Sequence, residues 1–225
     1  MPSHLLPRLG LLMLGIVLLS LAISLSIRSE IGTSPVSSLP YVYSIITSFS
    51  VGLLTILMQL IMIVGQILIL GKDFRWIQWL QLPASIVFGI TVDGMLWLTQ
   101  YIQPDLYISK MMLCLTNCFI TAIAVCLMVK ANLIVMAVDA LYLAICKRWG
   151  FNFGRCKMWG DISLVLIASL SIWLAAGHIV GIGEGTLISA ILVGTLIRYF
   201  MPLFDFINFN HDKMKSNQLE KGKTA

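Results

Sequence analysis

Charge is what this sequence lacks most. Only 11% of its 225 residues are Asp, Glu, Lys or Arg, less than half of the roughly 25% that a water-soluble domain carries. With 59% hydrophobic residues, the chain cannot clothe a globule in water. Histidine is scarce as well. His4, His178 and His211 stand near ends or loops, so no imidazole cluster can form within an apolar segment. The five cysteines (Cys114, Cys118, Cys126, Cys146, Cys156) have no CxxC spacing and outline neither a disulfide framework nor a zinc motif. Cys114 and Cys118 share a helix face and read as small packing residues. There is no HExxH, P-loop or GxSxG pattern, which removes the usual routes to metalloprotease, nucleotide-hydrolysing and serine-hydrolase chemistry. The expectation is a protein that is not an enzyme, with no cofactor, no metal and no nucleic-acid partner.

What the chain has is long uncharged runs. Leu9–Ile27, Val51–Leu70 and Met111–Val129 contain no Asp, Glu, Lys or Arg. About 20 apolar residues cross a hydrocarbon core about 30 Å thick at about 1.5 Å rise per residue. The runs do not alternate apolar and polar positions, so they read as helices, not as barrel strands. Six spans are predicted, at 9–27, 51–70, 77–98, 108–129, 159–177 and 186–204. Two shorter apolar segments, Pro35–Ser48 and Leu133–Cys146, are each about 14 residues long, near 21 Å as helix. They are expected to be re-entrant or half-helices. Arg8 and the small residues Ser20-Leu21-Ala22 have some character of a signal peptide. The first run is longer than a signal core and belongs to a repeat, so it is read as a retained span.

The basic residues test this count. With six spans, thirteen Lys and Arg fall on one side and only Arg28 and Lys110 on the other; if the short segments also cross, the division weakens to eleven and four. Both arrangements put the N- and C-termini in the cytoplasm, and the six-span one fits the bias better. It also accounts for the net charge of +5 without nucleic acid. Residues 205–225 are polar and read as a solvated cytoplasmic tail.

Displacing the chain by 102 residues brings like residues together. Ala22 meets Ala124, Leu25 meets Leu127, Arg28 meets Lys130, Val36 meets Val138, Leu39 meets Leu141, Phe49 meets Phe151 and Gly52 meets Gly154. A three-residue slip in the last connector would align Gly89 with Gly194. Residues 1–103 and 104–204 thus form two membrane repeats. With three spans each, the second enters from the opposite side, as in the inverted repeats of many transporters. The short segments would dip in from opposite faces and meet at a central cavity. Non-helical backbone at depth survives only when buried in protein or lining a cavity. Gly32-Thr33-Ser34-Pro35 and Asn132 therefore mark candidate cavity walls. If the short segments cross, the repeats become parallel.

Gly32-Thr33-Ser34-Pro35, Val138-Asp139-Ala140-Leu141 and the stretch from Gly185 to Gly194 together resemble the YczE/YitT group of bacterial membrane proteins. The similarity spans roughly residues 9 to 200. It implies a multi-pass helical fold and suspected roles in transport or antibiotic production, without an assigned activity. Members often carry an acidic residue just after the Ser-Pro pair; Ser37 stands there here.

Ionisable groups at depth usually face a partner, a bundle interior or a pathway. Asp139, midway along the second short segment, is the leading candidate for a cation, proton or amine site. The alternative is a local cap or an ion pair with Lys130 or Arg148. Asp93, near the outer end of the third span, has easier access to water. Asp161 opens the fifth span, where a carboxylate suits a helix N-terminus. Gln59 and Asn117 fall mid-span, as helix glue or substrate contacts. Ser34 and Ser37 suit a polar wall or close packing. Gly32 and Pro35 are turn residues; Gly185 and Gly194 are expected to permit close helix contact. The function read from these features is a small secondary transporter or permease for an unidentified small molecule or ion. The alternative is a non-transporting accessory or regulatory membrane protein. The partners to expect are the lipid bilayer, that substrate and, through helix contacts, a second copy of the chain.

Overall fold

The computed structural model describes residues 5–178 and 180–204; the tail 205–225 lies outside them. The described residues form eight α-helices: α1 Leu5–Ser29, α2 Pro35–Thr47, α3 Val51–Leu70, α4 Gln81–Leu98, α5 Tyr107–Ala131, α6 Ala137–Trp149, α7 Phe153–Ala176 and α8 Glu184–Leu203. Two 3-10 turns, Gly71–Asp73 and Trp76–Leu80, join α3 to α4. Six of the segments are long and apolar enough to cross a membrane, and α2 and α6 are not among them. The chain is a membrane-embedded helical protein. The fifth span starts at Phe153, not at 159. Arg155 and Lys157 interrupt the apolar run but not the helix.

The helix boundaries follow the 102-residue displacement. α5 begins and ends 102 residues after α1, α6 does so after α2, and α7 begins 102 after α3. Local chemistry repeats with them. Ser50 caps α3 by accepting from the Leu53 amide, and Asn152 caps α7 by accepting from the Gly154 amide. Such side-chain caps satisfy amides that the first helical turn leaves open. The left-handed residues Glu30 and Ser48 have their counterparts in Asn132 and Gly150.

Packing follows the same displacement. Ser24 Oγ donates to the Met95 carbonyl (3.1 Å), joining α1 to α4; Cys126 Sγ donates weakly to the Ile197 carbonyl (3.9 Å), joining α5 to α8. Both pairs are the same positions of the two halves. The displacement thus runs through to the last helix, and the three-residue slip proposed for Gly89 and Gly194 is not needed. α2 packs on α7 as α6 packs on α3, and α2 on α3 as α6 on α7. α1 and α5 lie against each other head to tail. Gly15 of α1 faces Ala124 and Met128 of α5, while Glu30, just after α1, pairs with Lys110 at the start of α5.

That antiparallel contact separates two ends of the molecule. At one end Thr33 donates its amide to the Gly181 carbonyl and Arg28 donates to the Leu96 carbonyl. The loops after α1, α4 and α7 therefore gather there. At the other end Lys147 of α6 pairs with Asp73 of the α3–α4 connector. Full crossing by α2 and α6 would place the loops after α1 and α4 at opposite ends.

Candidate functional site

Each half places its short helix beside a cavity. The first cavity, about 290 Å³, lies under the loop after α1 and is lined by Ser26, Glu30, Gly32, Thr33, Tyr41 and Gly181, among others. The second, about 360 Å³, lies under the loop after α5 and touches Asp73, Arg75, Gln78, Gln81 and Lys147. Its remaining wall is apolar and includes Leu133, Val135 and Leu143. The two are lined by residues 102 positions apart: Gly32 and Ile134, Thr33 and Val135, Tyr41 and Leu143, Val180 and Gln78. Because α1 and α5 are antiparallel, the cavities open at opposite ends. Both volumes are near the lower limit of the roughly 300–1,000 Å³ typical of small-molecule sites.

The loop around the first cavity needs its sequence. Gly32 has φ +137°, and an added Cβ would stand 2.7 Å from the Thr186 amide nitrogen and hydroxyl. Only glycine fits that approach. Gly185 lies against Ile31, and its amide donates to the Ile31 carbonyl at 2.9 Å. Pro35 sits at the first position of α2 with Ser34 as the preceding cap residue. The hydroxyls of Ser37 and Ser38 both donate to the Ser34 carbonyl, and Ser34 and Ser37 bond each other at 2.8 Å. These serines are therefore occupied in building the turn.

Asp139 differs from its sequence reading in place and partner. It lies in the first turn of α6, not midway along it. Its Oδ1 accepts from Lys157 of α7 at 2.7 Å; Lys130 and Arg148 are not the partners shown. Lys157 also stands 3.6 Å from Asp161 one turn on, and the Tyr142 hydroxyl donates to Asp161 at 3.2 Å. Gly160 makes this possible, since any Cβ there would overlap the Tyr142 ring. Two carboxylates thus share one ammonium and one phenol. Asp161, eight residues after the first residue of α7, is a member of this cluster and not the helix cap expected of it. Sequence reading missed Lys157 because that reading ended the loop too late.

Asp139 lines neither cavity. The short helices share an apolar cluster instead: Val36 and Leu39 of α2 pack against a core made of Met58, Leu164 and the α6 residues Val138 and Tyr142. The central cavity expected there, with Asp139 in its wall, is not what joins them.

The remaining candidates sort by their partners. Asp93 accepts from the Gly52 amide at 2.7 Å, so its carboxylate holds the N-terminus of α3, where negative charge is favourable. Asn117 is buried and accepts from Thr121 one turn on. Gln59 is 2% exposed and its Oε1 has no partner. Gly194 does not mediate close contact, because a Cβ there would meet no atom within 4 Å. Two glutamines that the sequence reading passed over are more deeply engaged. Gln66 and Gln81 bond each other through both amide ends (3.1 and 3.3 Å), and Gln66 donates to the Ala137 carbonyl at the start of α6. A signal was available for Gln66: with Gln59 it interrupts the mainly apolar run Val51–Leu70, two turns on and on the same face.

The family model described as "Family of unknown function (DUF6198)" matches residues 6–202, and the chain belongs to that family. No curated protein and no solved structure matches it.

Proposed function

We propose that this membrane-embedded DUF6198 member is a small secondary transporter of an unidentified small molecule or ion. The observation that carries the reading is the pair of cavities at opposite ends, each beside the short helix of one half and built from shared repeat positions. An inverted repeat offers two equivalent arrangements of one fold, and exchanging them opens one face while closing the other. The matched boundaries of α1 with α5 and α2 with α6, and the antiparallel contact of α1 with α5, support such a repeat. The positive-inside bias places the second cavity on the cytoplasmic side. The chain then has six crossings, with α2 and α6 as partial ones and both termini inside a bacterial cytoplasmic membrane. The resemblance to the YczE/YitT group agrees with that topology.

In this reading the Asp139–Lys157–Asp161 cluster is the coupling element. Two carboxylates against one ammonium leave one negative charge beside α6, which a proton or monovalent cation would neutralise. The loops that close each cavity carry an ion pair, Glu30–Lys110 at one end and Asp73–Lys147 at the other. Each is suited to break and re-form as its face opens.

The test uses a chain freed of native cysteines. Single cysteines replacing Ser26 and Ala144 should react with an impermeant thiol reagent from opposite sides of sealed vesicles. Reconstituted protein should also accumulate at least one component of a labelled metabolite extract, and that component should shift the two reactivities in opposite directions. Same-sided labelling, or no uptake by folded protein, would favour the accessory reading.

A further inference from the structure

We propose that the second cavity is a binding site for a small organic anion with an apolar body, held at its charged end by Arg75. The inference gives the proposed transporter a ligand class. It is a statement about binding, so it stands or falls separately from transport.

The polar groups around this cavity are unequally used. Each of its side-chain acceptor groups already has one partner. Gln78 Oε1 accepts from the Arg75 backbone amide at 2.8 Å. Gln81 Oε1 accepts from Gln66 at 3.1 Å. The Asp73 carboxylate pairs with Lys147 at 3.1 Å. Its donors are left over. The Arg75 guanidinium meets no carboxylate among the described residues, and the Gln78 side-chain nitrogen donates to nothing among them. Gln81 Nε2 uses one hydrogen on Gln66 and keeps the other.

Arg75 and Lys147 outnumber the one carboxylate, Asp73, so the lining carries surplus positive charge and favours a ligand whose charged end only accepts. Carboxylate and phosphate oxygens do so. Guanidinium offers them a planar, two-toothed contact that an ammonium cannot. A cationic ligand would meet Arg75 and Lys147 with only the already paired Asp73 to attract it. The rest of the wall excludes a purely polar ion. Leu133, Val135 and Leu143 line the cavity together with Leu70 and Ile77, and fully charged solutes gain nothing against such a surface. The arrangement matches a body of aliphatic or aromatic carbon with one anionic end. The first cavity differs. It carries Glu30 and Tyr41 in place of the arginine and glutamines, so the preference belongs to the second cavity alone.

Such a ligand has two sources, a soluble carboxylate or the headgroup and upper chain of an anionic lipid. The experiment measures calorimetric binding to the purified chain in neutral detergent with three matched probes: 4-phenylbutyrate, 4-phenylbutanol and 4-phenylbutylamine. The anion should bind saturably, the alcohol at least about tenfold more weakly for want of the charge-assisted contact, and the amine not at all. Arg75→Gln should remove anion binding with an unchanged melting temperature, because Arg75 is exposed. Arg75→Lys should keep part of it. Asp73→Asn, which frees Lys147, should tighten it. Repeating the titration in nanodiscs separates the sources. Weaker phenylbutyrate binding in phosphatidylglycerol than in phosphatidylcholine assigns the site to lipid, and equal binding assigns it to a soluble anion. Equal affinity for the three probes, no binding of any, or undiminished anion binding in Arg75→Gln would overturn the proposal. Transport of some other solute by a chain that binds no anion would overturn this inference and leave the transporter reading standing.

Discussion

Lys157 donates to Asp139 at 2.7 Å, tying the first turn of α6 to the second turn of α7. Both side chains are 39% exposed, so the pair itself contributes little, about 0–1 kcal/mol for an ion pair of this exposure. Removing the ammonium should be worse than removing one carboxylate, since Asp139 and Asp161 would then face each other uncompensated. Asp139→Asn is expected to lower thermal stability by no more than about 1 kcal/mol while abolishing ion or proton coupling in proteoliposomes. Lys157→Ala should destabilise more than Asp139→Asn. Wild-type coupling in Asp139→Asn would remove that residue from the pathway.

Gly32 and Gly194 should respond oppositely to alanine. At Gly32 the new Cβ would meet the Thr186 amide at φ +137°. Strain of that kind costs of order 1–3 kcal/mol. At Gly194 nothing lies within 4 Å, and a mid-helix alanine should be neutral or stabilise by up to about 1 kcal/mol. Detergent-solubilised melting curves of the two variants check the contrast. Equal melting temperatures would show that the α1–α2 loop is not held as described.

Gln59 and Gln66 share a helix but not a role. Gln66→Leu breaks the bonds to Gln81 and Ala137 and should destabilise by about 1–3 kcal/mol, because the Gln81 amide is left buried and unpaired. Gln59→Leu removes a buried oxygen that has no partner, so stability should hold or rise. If Gln59 contacts substrate, uptake should fall in that variant without any loss of fold. Unchanged uptake would leave it a packing residue.

The head-to-tail contact of α1 and α5 predicts cross-links. Cysteines replacing Glu30 and Lys110, whose charges meet at 2.6 Å, should be bridged by a short bifunctional thiol cross-linker. Cysteines at Glu30 and Lys130 should not, because Lys130 lies at the far end of α5. Efficient cross-linking of the second pair would overturn the antiparallel arrangement and the inverted repeat with it. A cysteine at position 103 should label from outside without permeabilisation.

Much of the architecture was legible in the chain. Long apolar runs, three of them free of charge, marked the six long helices, because the bilayer fixes how many apolar residues a crossing needs. The 102-residue displacement that the boundaries of α5 and α6 follow was visible at low identity, because its markers were a basic residue, a turn and a glycine in fixed order. The boundary of α7 was misplaced because hydropathy reports the lipid-facing part of a helix and not its first polar turns. The cap residue Asn152, opposite Ser50, carried the better signal.

The sequence by itself determined a membrane-embedded chain of six long and two short helices. The solvent imposes that result residue by residue: in lipid every backbone amide must bond within its own helix, so length and hydropathy suffice to find it. Only the tertiary structure decided which polar groups meet. Asp139 and Lys157 are 18 positions apart, Gln66 and Ala137 are 71 apart, and Asp73 and Lys147 are 74 apart. Whether a polar group is paired or left with a free donor depends on the angle at which two helices pack, which is settled by the apolar side chains between them. The gathering of Arg75, Asp73 and Lys147 around the second cavity arises from that packing, and no local pattern in the chain encodes it.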